Sequence, residues 1–324
     1  MIIFVTQGHN YTHKSLVGHP DLNKLKCCNY SWLLRQVRLP KGTYILTDRE
    51  RMDLWELRVF GALHKHLSDA GDGYRVINNP AQMLNRRALL RTLYVEGIND
   101  FNAYALTEKR LPEQYPVFLR REYDHERPLS DLLHNETELQ TALAELRGQG
   151  EPEDGLLIIE YAAEPVEGNL FRKLSAYKVG DQVFFYNTVH EESWNVKHGT
   201  LNSATDALYQ EEFDMITHNT FANDVLKVFN LANIEYGRVD FGLVNGKAQF
   251  YEINTNPSTK GPMKDHPNPY RVKSQLLAWE KYCEAINKLD TTDPKAPYAK
   301  IFKSPGLIPS MLRRILYGSN TYRR

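Results

Sequence analysis

Residues 238–258 read RVDFGLVNGKAQFYEINTNPS, and how they pair decides the fold. Two β-prone runs, 236–244 and 248–254, flank Asn245-Gly246, the strongest short-range hairpin signal. Strand side chains alternate, so Arg238 and Asp240 share one face while Val239, Phe241 and Leu243 take the other. In the second run Glu252 and Asn254 project together, with Tyr251 and Ile253 opposite. A two-residue turn places Asp240 opposite Tyr251 and sends the two acids apart. A three-residue connection, or a bulge beside Gly246, pairs Asp240 with Glu252 and Arg238 with Asn254. The odd loop is expected, because Arg-x-Asp and Glu-x-Asn stand at matching heights before Pro257. A cation, two carboxylates and an amide on one surface supply the hard oxygen ligands that suit Mg²⁺, together with a positive group for a polyphosphate.

This stretch resembles the ATP-grasp superfamily, in particular the D-alanine–D-alanine ligase-like carboxylate–amine ligases. Their signature pairs an Arg-x-Asp strand with a following Glu-x-Asn-x-x-Pro strand, matched here by Arg238-Val239-Asp240 and by Glu252-Ile253-Asn254-Thr255-Asn256-Pro257. The resemblance implies an α/β (α+β) chain with the ATP-grasp fold in three lobes. These are an N-terminal α/β lobe over 1–79, a central lobe over 80–160 and a C-terminal antiparallel-sheet lobe over 161–289. The nucleotide would lie between the last two. ATP and Mg²⁺, as two ions, are the implied cofactors. Asp240, Glu252 and Asn254 would hold the metal, and Arg238 would support the transferring phosphate.

The same resemblance assigns the rest of the site. Arg86 and Arg120 stand where the family has phosphate-contacting lysines; a guanidinium offers planar, permanently charged donors instead. Glu160, Tyr161 and Ala162 correspond to the hinge whose backbone reads adenine, and Glu167 is placed to accept from ribose. Arg172 and Lys173 are adjacent on a strand and face opposite ways, so one of them should reach the site. Asn256, Ser258 and Lys260 follow the metal strand, where the acceptor substrate is met. His190, Trp194 and Lys197 lie in TVHEESWNVKHG, at a strand end expected to approach the cleft, and His190 is the candidate general base. The family's glycine-rich phosphate loop is replaced by REYDHERPLSDLL, without glycine.

The remainder of the chain sets bounds. With 324 residues a large core and more than one lobe are expected. Forty acids balance forty bases, so no overall field points to nucleic acid. Cys27, Cys28 and Cys283 form neither a ligand spacing nor a disulfide framework and fit a reducing compartment. MIIFVT reads as a strand rather than a leader, and no apolar run reaches bilayer-spanning length, so a cytoplasmic protein is expected. His9, His13 and His19 lack zinc-motif spacing and are read as part of a substrate-facing loop. Helices are expected over 53–70, 86–96, 138–147, 211–231 and 270–289. Asn78-Asn79-Pro80 is read as the hinge out of the first lobe. Residues 290–324 are basic and proline-containing, and their 308–318 segment is a short amphipathic stretch expected to pack on the body or touch a surface weakly.

Together these expectations describe an ATP-dependent ligase that joins a small-molecule or peptide carboxylate to an amine through an acylphosphate. Two further readings stay open at this level: a kinase on the same scaffold acting on a hydroxyl, and a non-catalytic ATP-binding module.

Overall fold

A computed structural model describes residues 1–290, apart from 37, 72 and 202, together with the backbone of residues 299 and 300. The first lobe is built from β1 (Ile2–Thr6), β2 (Leu25–Asn29), α1 (Tyr30–Leu33), β3 (Arg38–Leu39), β4 (Gly42–Leu46), α2 (Leu54–Ser68) and β5 (Tyr74–Ile77). Four of these strands form a parallel sheet in the order β2-β1-β4-β5. β1 and β4 are buried throughout, as central strands of a parallel sheet must be. α2 starts with a capping box between Asp53 and Glu56 and buries Val59, Phe60, Leu63 and Leu67 against that sheet. Sequence reading missed β2, because LKCCN shows neither alternation nor β-branched residues.

The second lobe contains α3 (Arg86–Val95), β6 (Ala103–Ala105), β7 (Val117–Arg121), α4 (Glu136–Gly148) and β8 (Leu156–Glu160), with an antiparallel sheet ordered β6-β8-β7. The third contains β9 (Pro165–Glu167), β10 (Leu170–Val179), β11 (Gln182–Glu191), α5 (Asp206–His218), α6 (Ala222–Leu231), β12 (Tyr236–Val244), β13 (Lys247–Asn254) and α7 (Pro269–Lys288). Its sheet runs β11-β10-β12-β13, with β9 beside β10.

Two expectations need correction. The helix read over 211–231 is two helices, α5 beginning at Asp206 and α6 ending at Leu231. They part at Asn219, which takes a left-handed φ of 53°. Its side chain accepts the Phe185 N–H (2.9 Å) and donates to the Val183 carbonyl (2.9 Å), so the break ties the helix end to β11. The hairpin also differs in detail. Asn245 and Gly246, at φ 51° and 76°, make the tight two-residue turn, pairing Val244 with Lys247. The extra residue lies six positions after the turn begins: Tyr251 is a bulge, and beyond it Asp240 pairs with Glu252 and Arg238 with Asn254. The expected register is therefore reached by a different device.

Asn78, read as a hinge residue, is a buried staple between the first and third lobes. Its Nδ2 donates to Leu46 O (3.1 Å) and Tyr236 O (2.9 Å), and its Oδ1 accepts the N–H groups of Glu235 (2.8 Å) and Tyr236 (3.0 Å). All four hydrogen-bonding positions of the amide are used. The backbone of Ala299–Lys300 pairs antiparallel with β3, while the 308–318 segment lies outside the described residues. Among the described residues no helix is long and apolar enough to cross a membrane.

Candidate active site

A cleft of about 770 Å³ lies between the second and third lobes. Its floor is one polar rung that crosses the whole third-lobe sheet: Glu252 on β13, Asp240 on β12, Ser175 on β10 and Asn187 on β11 are successive cross-strand partners. A bulge stands beside the rung at each edge, Tyr251 on β13 and Tyr186 on β11. The bulge at Tyr251 lets two consecutive residues, Tyr251 and Glu252, both line the cleft while Phe250 stays in the core. Sequence alternation had placed Tyr251 on the opposite face.

Tyr251 closes over Gly242. Its hydroxyl donates to the Ala162 carbonyl (2.9 Å), and a Cβ at Gly242 would stand 2.1 Å from that oxygen. Gly242→Ala is therefore expected to push the tyrosine off Ala162 and to destabilise the protein by about 1–3 kcal/mol, the usual cost of overpacking a filled site. An unchanged urea midpoint would show that Tyr251 does not depend on the space above Gly242.

Asp240 is buried and ionised. Its Oδ1 accepts from Arg238 Nε (2.9 Å) and Ser175 Oγ (3.1 Å), and Lys173 Nζ lies 3.2 Å from Oδ2. Burial pushes the carboxyl up, but Arg238 and Lys173 outweigh burial and the repulsion of Glu252, and hold it below its usual range. Glu252 is likewise opposed by burial, yet Arg86 and Arg120 hold it well below the carboxylate range. Arg86 Nη2 donates to its Oε2, and Arg120 Nη2 is 3.4 Å away.

Two mutually repelling, ionised carboxylates beside the Asn254 amide form an oxygen donor set of the kind Mg²⁺ takes, so the residues present fit that ion. Among the described residues no three His, Cys, Asp or Glu side chains come together to hold a metal ion. Asn254 Oδ1 already accepts the Asn256 N–H (2.8 Å) and keeps a second lone pair.

Other expected residues fall into two groups. Lys173, Arg120, Arg238, Lys197, Ser258 and Lys260 line the cleft, as do the backbone-hinge residues Tyr161 and Ala162. Of the adjacent pair on β10, Lys173 reaches Asp240, while Arg172, which also borders the cleft, pairs with Glu211 of α5 (2.6 Å). Arg86 also borders the cleft, but its donors are occupied. Nη1 reaches the carbonyls of Arg121 (2.9 Å) and Glu122 (3.0 Å), and Nη2 reaches that of Asp124 (2.9 Å) as well as Glu252. Arg86 thus fastens the 121–124 turn to the metal-type carboxylate and does not offer a free fork.

Glu160 also borders the cleft. Its carboxylate is engaged within the second lobe, with Oε1 accepting from Tyr104 Oη (2.9 Å), Glu113 N (2.8 Å) and Gln114 N (3.1 Å), and Oε2 from Asn102 N (2.8 Å). Glu167 does not line the cleft; it is exposed and meets Thr205 Oγ1 at 3.4 Å. His190 is displaced as well: Asn187 and Val189 border the cleft and His190 does not. Burial, then Arg172 and Arg271, lower its pKa to about 4, so it stands neutral and away from the chemistry. Asn256 is buried among lobes, donating to Asp48 Oδ1 (2.8 Å) and accepting from Thr12 Oγ1 (2.7 Å). His13 is core: it stacks on Phe4 at 4.1 Å, and burial takes its pKa to about 3.

Apart from Trp194, which was expected to approach the cleft, the following site features were not found from sequence. Trp194, on the loop after β11, reaches across to Phe118 of β7 (5.1 Å between ring centres) and to Tyr161 (5.8 Å, edge-on). With Leu90, Phe101 and Ile159 these rings make one end of the cleft apolar. The turn after β4 joins all three lobes: Glu50 accepts from Thr255 Oγ1 (2.8 Å) and pairs with His125 Nε2 (2.9 Å). From α7, Arg271 and Gln275 enter the cleft wall. A polar pair one helical turn apart reads, in sequence, like any solvated face.

No family model and no curated relative matches the chain. Among solved structures, the D-alanine–D-alanine ligase from Bacillus anthracis is similar at 12% identity and TM-score 0.50, covering 89% of this chain and 96% of that one. The same type of ligase from Coxiella burnetii is similar at 12% identity and TM-score 0.49, over 89% and 95%. VanG D-Ala:D-Ser ligase from Enterococcus faecalis is similar at 13% identity and TM-score 0.47, over 87% and 98%. The match to the Bacillus anthracis enzyme assigns this chain the ATP-grasp fold of the D-alanine–D-alanine ligase type.

Proposed function

We propose that this ATP-grasp chain is an ADP-forming carboxylate–amine ligase. The observation that carries the reading is the rung on which Asp240 and Glu252 stand side by side, ionised, beneath Arg238, Lys173 and Arg120. Such an arrangement binds a polyphosphate and stabilises charge moving between its oxygens. ATP would lie with its base in the apolar end, against Trp194 and Phe118 and under the hinge backbone at Tyr161 to Ala163. Its phosphates would run over the rung. Asp240, Glu252 and Asn254 would hold Mg²⁺, which would supply positive charge against that of the phosphates.

A substrate carboxylate then attacks the γ-phosphoryl group to give an acylphosphate and ADP. An amine attacks the acyl carbon and expels phosphate. Arg120, Lys173 and Arg238 spread the charge that develops on the phosphoryl oxygens. The turn at 121–125 is clamped by Arg86 and by the His125–Glu50 pair, which supports exclusion of water from the anhydride.

An ADP-release screen across carboxylate and amine pairs tests this, with Glu252→Gln as blank. ADP and inorganic phosphate should appear in equal amounts and only when both substrates are present. Phosphate retained on a hydroxyl product, with no amine needed, would replace the ligase by a kinase. Nucleotide binding with no turnover in any combination would leave a binding module.

A further inference from the structure

The cleft continues beyond the phosphate region to a wall that the chemistry above does not use. Asn187 ends the rung, two strands from Asp240, or about 10 Å at ordinary strand spacing. α7 stands against it. Arg271 Nη1 donates to the carbonyl of Thr188 (3.0 Å), which fixes the helix beside Asn187, and Gln275 lies one turn further on the same helix face. Asn187, Arg271 and Gln275 all line the cleft.

Two polar atoms at this wall are sealed from solvent without a hydrogen-bond partner among the described residues: Asn187 Oδ1, an acceptor, and Gln275 Nε2, a donor. Each amide carries both functions, so turning both side chains over together exchanges the roles and keeps the match, whereas turning one alone would present two donors or two acceptors. The wall is also balanced in charge, because Arg271 is paired with buried Glu212.

We propose that this wall binds a secondary amide, so that the substrate whose reacting group reaches the phosphate site is peptide-like rather than a single amino acid. The amide oxygen accepts from Gln275 and the amide N–H donates to Asn187. As the two amides stand, a second carboxylate there would oppose the Asn187 oxygen, and an ammonium would oppose the Gln275 donor. Reach agrees, since about 10 Å corresponds to about three residues of extended chain. The position of the reacting end rests on the ligase reading; the amide contact does not.

The test separates the two. The full chain, with ADP and Mg²⁺ present, is probed by saturation-transfer NMR with N-acetylglycine N-methylamide, the smallest peptide-group probe. Signal is expected in the native protein and in Lys273→Ala, which changes an exposed position on α7, and is expected to vanish in Gln275→Leu and Asn187→Leu. Gln275 is only half-buried, so that variant keeps the test open if the Asn187 change unfolds the sheet edge. No signal in the native protein, or equal signal in all four, overturns the inference. In turnover assays the same two variants should raise the KM of a peptide substrate about tenfold and leave that of ATP unmoved. Should single amino acids be ligated as well as peptides, the inference falls and the ligase stands. If no substrate pair releases ADP while the probe still distinguishes the variants, the ligase falls and the amide site stands.

Discussion

Glu252→Gln is expected to lower ADP release by about 10³-fold while leaving the protein folded, whereas Asp240→Asn should cost both activity and stability. The difference lies in what each carboxylate leaves behind. Glu252 is partly exposed, and its partner Arg86 keeps three backbone carbonyls when the charge is removed. Gln also preserves the shape and one acceptor oxygen. Asp240 is buried, and its loss strands the Lys173 ammonium and the Arg238 guanidinium together inside the sheet. Breaking a buried pair by removing one member typically costs about 3–5 kcal/mol. Urea titration beside an ADP-release assay separates these outcomes: a normal midpoint with lost activity for Glu252→Gln, and a lowered midpoint for Asp240→Asn. Native turnover in Glu252→Gln would remove the polar rung from the chemistry altogether.

The parts of this site that were legible in sequence are those set by strand alternation and by a short local motif. Arg238, Asp240, Glu252 and Asn254 fall on one surface because the pairing register brings them there, and that register was readable from the matching Arg-x-Asp and Glu-x-Asn heights. The location of the bulge was not, because a turn with an inserted residue and a tight turn with a bulge further along give the same pairing beyond it. Tyr251 could be assigned to the cleft only by knowing which of the two was used. Residues brought in by tertiary packing were illegible for a different reason. Glu50 meets His125 and Thr255 across three lobes, and Arg271 and Gln275 arrive on a helix whose polar face looks solvated. His190 shows the converse. Its residue type invited a catalytic role, but strand parity sends the neighbouring Asn187 and Val189 to the cleft and buries the imidazole elsewhere.

Glu160 divides structure from ligand binding most sharply, and Glu160→Ala is expected to be among the most destabilising single changes in the second lobe. The carboxylate satisfies four donors in a region that is 1% exposed at Glu160 itself: the backbone N–H groups of Asn102, Glu113 and Gln114 and the hydroxyl of Tyr104. Alanine leaves the Asn102 and Gln114 N–H groups and the Tyr104 hydroxyl without this acceptor, while the Glu113 N–H keeps Tyr104 Oη (3.3 Å). Each stranded buried donor costs about 1–3 kcal/mol, so even with relaxation and entering water the total should reach about 3–5 kcal/mol. Glu160→Gln should fall between, because the remaining carbonyl oxygen can keep the cluster at Tyr104, Glu113 and Gln114 while the new amide opposes the Asn102 N–H. Assayed where the variants remain folded, the KM for ATP should be unchanged in both if, as proposed, the hinge meets the nucleotide through its backbone. The opposite pattern, an ATP KM raised tenfold or more with an unaltered urea midpoint, would make the Glu160 side chain a nucleotide ligand and overturn its assignment as the internal support of the hinge.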